Sequence, residues 1–115
     1  MGSDHEAYVE PRGIAQMLRE AADLLGFRVD VRESEIMNLT KYVGPGYGRP
    51  SPAGLEAMRL LASAEGILLD PVYSGKGMSG MLDHIREGIL EDEGPIVFVH
   101  TGGLPAIFAY SEEIM

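Results

Sequence analysis

An α/β fold, part of an open and mostly parallel sheet flanked by helices, is predicted by two features of the sequence. Helix-period and strand-length apolar patterns alternate along 115 residues, a length suited to one domain. Two short apolar runs, Ile67-Leu68-Leu69 and Ile96-Val97-Phe98-Val99, each lead into a glycine-containing segment rich in hydroxyls. In parallel sheets of this kind, ligands bind beyond the carboxyl ends of the strands.

The elements follow in order. Residues 1–12 carry no periodic pattern and read as a flexible arm or remnant, leaving 13–115 as the folded α/β segment. From Gly13 to Leu25, Ile14, Met17, Leu18, Ala21, Ala22 and Leu25 mark one helical face, and Gly26 supplies the stop. Phe27, Val29 and Val31 alternate with charged residues, as in a short strand or extended segment. Ser34 to Thr40 carries no decisive pattern. Tyr42 to Pro52 holds three glycines and three prolines, so it forms a shaped loop. Ser51 before Pro52 is a hydroxyl cap followed by a proline at the first helical position. The ensuing helix should bury Leu55, Met58, Leu61 and either Leu60 or Ala62, ending near Gly66. Ile67 to Leu69 reads as a buried strand. A glycine-rich turn then opens a helix with Met78, Met81, Leu82 and Ile85 on one side. Glu91 to Gly94 reads as a charged turn, Ile96 to Val99 as the next strand, and Pro105 to Tyr110 as a short apolar helix.

Composition narrows the function classes. Nine basic against eighteen acidic residues give a net charge of −9, and the basic residues are scattered singly. Nucleic acid and anionic membranes are poor partners for such a surface. No apolar run approaches the roughly 18 residues of a membrane span, and the polar first ten residues lack a secretory pattern. A cytoplasmic location is the default expectation. Cysteine is absent, which removes disulfides, thiolate nucleophiles and thiolate-bound zinc.

Candidate chemistry concentrates in the loops. Gly75-Lys76-Gly77 lacks the upstream glycine of a phosphate loop, and Gly44-Pro45-Gly46-Tyr47-Gly48 has proline where an open amide is needed. His5, His84 and His100 are too dispersed for a metal site, and no metal is expected. No serine stands in a nucleophile elbow. Lys76, near a helix start, reads as a surface or anion-facing cation rather than an imine-forming lysine. Tyr47 is fenced by glycines and Tyr73 follows a strand, so either phenol could stack on a flat ligand and transfer a proton. The competing reading of each is a core aromatic with its hydroxyl satisfied. Thr101-Gly102-Gly103 offers a hydroxyl and a backbone that a ligand can approach, or simply a turn that needs glycine.

Three strings then stand together: Val-Gly-Pro-Gly-Tyr-Gly at Val43–Gly48, Leu-Leu-Asp-Pro-Val-Tyr-Ser-Gly-Lys at Leu68–Lys76, and His-Thr-Gly-Gly-Leu-Pro-Ala at His100–Ala106. In this order they resemble the carboxyl-terminal third of the D-cysteine desulfhydrase and 1-aminocyclopropane-1-carboxylate deaminase family. These are pyridoxal-phosphate enzymes of the tryptophan synthase β-subunit fold type. The resemblance spans about Gly13 to Tyr110 and implies a sheet like that of the large domain of those enzymes. It implies that the Thr101 hydroxyl meets the pyridine nitrogen, with Ser74 and Gly102 also at the cofactor. It implies that Tyr73 lies beside the ring and that Tyr47 lines the substrate pocket, the two catalytic candidates. Ring-opening members carry glutamate where this chain has Ser74, and leucine where it has Thr101. Both departures point toward β-elimination from a cysteine-like amino acid, of the D-cysteine desulfhydrase or L-cysteate sulfo-lyase type. The cofactor-holding lysine and phosphate-cradling loop of the family precede the matched region. The chain is therefore expected to be one part of a homo-oligomeric lyase, completed by an amino-terminal part and acting on a small amino acid. A non-catalytic, self-associating remnant and a cyclopropane deaminase segment are the alternatives.

Overall fold

The computed structural model describes residues 10–90 and 94–115. The described residues group into two compact units that divide between Leu39 and Thr40.

In the first unit, helix α1 spans Pro11–Leu24, with Pro11 in its first turn where a missing N–H costs nothing. Pro11 and Arg12 therefore belong to the helix, not to an amino-terminal arm; residues 1–9 lie outside the described set. Gly26 (φ 78°) ends it as expected. Its N–H donates to the Asp23 carbonyl and that of Phe27 to the Ala22 carbonyl, the two bonds of a Schellman motif. The alternating residues 27–31 carry no regular structure and Phe27 is exposed, with Arg19 Nη2 donating to the Val31 carbonyl at 2.7 Å. Residues Glu33–Glu35 form a single 3₁₀ turn, closed by the Arg32 N–H on the Glu35 carboxylate.

The second unit is built on two packed helices, α2 (Pro52–Glu65) and α3 (Ser74–Arg86), preceded by a 3₁₀ turn over Thr40–Val43. Ser51 caps α2 as predicted, accepting the Gly54 N–H at 3.1 Å, and Gly66 in the left-handed region ends it. The core between them is Ala57, Met58, Leu69 and Met78, with Leu55, Leu61, Met81, Leu82, Phe98, Ile107 and Ile114 packed around it. Leu60 and Ile85 face outward instead. Short helices α4 (Ala106–Ala109) and α5 (Ser111–Ile114) close the chain.

Gly75, Gly77 and Gly80 lie inside α3, not in a turn before it. Packing explains Gly75 and Gly80: a Cβ at Gly75 would stand 2.8 Å from the Asp70 carbonyl oxygen, and one at Gly80 would stand 3.0 Å from the Tyr42 ring.

Among the described residues no segment pairs as a β-strand. Of residues 67–69 only Leu69 is buried, and Ile96, Val97 and Val99 face solvent. The expected burial of these two runs therefore fails over most of their length, because no neighbouring backbone or helix face covers them. Residues 91–93 of the expected charged turn lie outside the described set.

Candidate active site

The segment after residue 69 is organised by Asp70, 1% exposed. Its Oδ2 accepts the N–H groups of Val72 and Tyr73, both at 2.8 Å. Its Oδ1 accepts the N–H of Ser74 at 2.8 Å and the Ser74 hydroxyl at 2.6 Å. The three amides lead into the first residue of α3, so a carboxylate four residues upstream anchors the start of the helix. Burial pushes the Asp70 carboxyl up, but the hydrogen bonds from Ser74, Tyr73 and Val72 outweigh it and hold the group below the ordinary carboxylate range. The Ser74 hydroxyl in turn accepts the Asp70 N–H at 2.8 Å. Ser74 is thus buried with its single hydrogen spent on Asp70, and it presents no free donor to a ligand.

Asp70 also joins the two ligand-side segments. A Cβ at Gly103 would lie 2.8 Å from the Asp70 Cγ, so only glycine lets the 100–103 backbone approach this closely, at φ 86°. Beside it, Gly102 (φ 102°) faces open space and donates its N–H to His100 Nδ1 at 3.1 Å. His100 Nε2 donates to the Leu68 carbonyl at 2.8 Å, which ties the two apolar runs together. Thr101 is exposed, and its hydroxyl has no partner among the described residues. It does not cap the helix after Pro105.

Tyr73 and Tyr47 come together. Their hydroxyls are 2.5 Å apart and their rings meet edge to face at 5.9 Å. Both are well exposed, so neither is a core aromatic. The hydrogen bond that Tyr73 donates to Tyr47, with partial desolvation, holds the Tyr73 phenol above its ordinary value.

Both lysines of the chain are committed elsewhere. Lys76 is 7% exposed, and its Nζ donates to the carbonyls of Val43 at 2.8 Å and Gly46 at 3.0 Å. It is neither the surface cation nor the anion-facing group that its position near a helix start suggested. Lys41 pairs with Asp83 at 2.9 Å, a bond that keeps its ammonium protonated above the usual lysine range. Tyr42 donates to the same carboxylate at 2.6 Å, and these two bonds draw Asp83 down. This cluster borders a cavity of about 380 Å³ between α2 and α3 that contains none of Tyr47, Tyr73, Asp70 or Thr101. No cluster of potential metal ligands occurs among the described residues.

Taken as a possible surface for pyridoxal phosphate, these residues fit one wall and not the whole site. The unpartnered Thr101 hydroxyl, the open Gly102 backbone and the exposed phenol pair suit the edge of a flat heteroaromatic ring. Both lysine amines are held in hydrogen bonds within the chain, and neither is free for covalent attachment.

Residues 4–102 match the family described as "Pyridoxal-phosphate dependent enzyme". Over 73 residues, 64% of this chain, it is 58% identical to the D-cysteine desulfhydrases of Salmonella newport (strain SL254) and Salmonella enteritidis PT4 (strain P125109). The chain spans 22% of the length of those relatives. A crystal structure of an ACC deaminase homologue superimposes with a TM-score of 0.65 at 34% identity, covering 86% of this chain and 29% of the other. Among the described residues no helix is long and apolar enough to cross a membrane. With the three motif strings, the phenol pair and the family pattern all falling on the same stretch, the chain belongs to the pyridoxal-phosphate dependent enzyme family.

Proposed function

We propose that this chain supplies one wall of the active site of a cytoplasmic lyase that eliminates a sulfur leaving group from a small cysteine-like amino acid. The paired hydroxyls of Tyr47 and Tyr73 carry this reading. In such a pair one phenol donates to the other, and the acceptor's own hydrogen is left to point outward. Tyr73, held above the ordinary phenol range, is the donor within the pair, which leaves the Tyr47 hydrogen to point outward as a proton donor rather than a base. Bound pyridoxal phosphate supplies an electron sink for charge developing at the substrate α-carbon. Thr101 and Gly102 would hold the ring edge, the Thr101 hydroxyl serving as a neutral hydrogen-bonding partner for the ring nitrogen. Ser74 acts one step back, by fixing Asp70 and through it the backbone of Tyr73. Residues 67–69 and 96–99 are strands of a mostly parallel sheet in the assembled enzyme, paired with chain from its amino-terminal part. The whole works as a homo-oligomer.

The enzyme carrying this segment is expected to release sulfide from D-cysteine or sulfite from L-cysteate. Turnover of 1-aminocyclopropane-1-carboxylate with neither of those would overturn the reading. Thr101→Val keeps the shape and removes one hydrogen bond, worth about 0.5–1.5 kcal/mol. Cofactor affinity should fall by up to about tenfold, with the melting temperature unchanged because the hydroxyl holds nothing among the described residues. An unchanged cofactor titration removes Thr101 from the site.

A further inference from the structure

Tyr47 is 80% exposed, yet its hydroxyl meets that of Tyr73. It sits at the tip of a turn from Gly46 to Arg49, on a loop whose Gly44, Gly46 and Gly48 all adopt positive φ. Glycine-rich backbone gives an exposed phenol no reason of its own to stay in one place. The two peptide carbonyls that bracket Tyr47 do. The Gly46 carbonyl accepts from Lys76 Nζ at 3.0 Å as well as from the Arg49 N–H at 3.3 Å, and the Gly48 carbonyl accepts from the Tyr110 hydroxyl at 2.6 Å. Lys76 takes hold of the loop a second time at the Val43 carbonyl.

We propose that Lys76, seconded by Tyr110, is a positioning residue that fixes the Gly46–Arg49 turn so that the Tyr47 hydroxyl is presented to Tyr73. Helix physics gives no other motive for this lysine. A cation in the first turn of α3 opposes the helix dipole, and burial of an ammonium is costly. Charge-assisted bonds to carbonyls, roughly twice as strong as neutral ones, offset both. The neighbouring helix leaves room for the stem: a Cβ at Gly54 of α2 would stand 3.4 Å from the Lys76 Cγ and 2.9 Å from the Ser51 Oγ. Among the described residues no carboxylate pairs with Lys76, so its charge is directed at the loop alone.

The inference rests on the tyrosine pair being the working face of the site, but its test reads the pair directly and needs no turnover. Ring-labelled tyrosine, followed by NMR through alkaline pH, reports each phenol. In the parent chain Tyr47→Phe should move the Tyr73 titration downward, since the hydrogen bond to Tyr47 is the main cause holding it up. In a Lys76→Met background the Tyr73 titration should already be low, and adding Tyr47→Phe should move it no further. Loss of that Tyr47-dependent shift, with the circular dichroism spectrum retained, supports the clamp; a full shift in folded Lys76→Met overturns it. If Lys76→Met does not fold, Tyr110→Phe takes its place: a reduced shift supports the clamp, and an undiminished one overturns it. Absence of elimination activity in the enzyme would count against the proposed function and leave this titration untouched.

Discussion

The segments 70–76 and 96–103 occupy equivalent places in the sequence pattern, each the sequel or continuation of an apolar run, yet they are held very differently. In the first, Asp70 satisfies the amides at the start of α3, Ser74 bonds back to Asp70, and Lys76 reaches across to the preceding loop. In the second, the side chains of Val97 and Val99 face solvent, Thr101 has no partner among the described residues, and the ties to the rest are Phe98 against the core, the His100 ring on the Leu68 carbonyl, and Gly103 against Asp70. The first segment completes itself from nearby sequence. The second leaves most of its apolar side chains uncovered.

Removing Asp70 tests the self-sufficient side most severely. Asp70→Ala leaves buried amides without acceptors and should cost about 3 kcal/mol in urea unfolding. A loss under about 1 kcal/mol would mean that water replaces the carboxylate. The same group sets an acid limit. Its folded pKa lies below the unfolded value of about 3.9, so its contribution is present above that pH and lost as pH falls through the folded value. Asp70→Asn should flatten stability against pH in that acid range, and an unaltered acid profile would assign the transition to other carboxylates.

The joint between the segments comes next. Gly103→Ala meets both a positive φ and the Asp70 carboxylate, and should destabilise by about 2–3 kcal/mol. Gly102→Ala meets only the backbone strain, with open space beyond, and should cost about 1 kcal/mol. Equal losses in thermal melts would dissolve the distinction between a packed glycine and a merely bent one. The smallest effect is expected on the exposed run. Val97→Lys, at a side chain 82% exposed, should change stability by no more than about 0.5 kcal/mol while reducing concentration-dependent self-association in light scattering. A large loss of stability would show that Val97 is buried in solution.

Helix ends were the most legible part of the sequence, because their signals are local. Ser51-Pro52 starts α2, Gly26 and Gly66 end helices, and each acts through atoms within a few residues. The tyrosines and the Thr101-Gly102-Gly103 turn were legible as loop residues after apolar runs. Whether two loops meet is a long-range matter, and only the fold brings the Tyr47 and Tyr73 hydroxyls together across 26 positions. Asp70 went unrecognised as the organiser because Asp-Pro reads as an ordinary turn. The informative signal was Ser74 four residues later, followed by a glycine that has to admit the Asp70 carbonyl. Lys76 was misread because charge and helix position argue for exposure, while its carbonyl acceptors lie 30 and 33 residues away. The apolar runs were read correctly as apolar, but burial depends on what covers them, and that information is not local.

The bracketing of Tyr47 by Lys76 and Tyr110 has a thermodynamic consequence for whatever binds there. Freezing a mobile side chain on association costs about 0.5–1.5 kcal/mol, and loop ordering adds to it. A phenol already fixed at the tip of a tethered turn avoids much of that entropy loss, so a small ligand can be oriented without drawing on its few contacts to order the loop. The cost has been moved to folding, where the buried ammonium bears it. A ligand with few non-hydrogen atoms has little binding energy to spare, and preorganisation of this kind spares it the cost of ordering the loop.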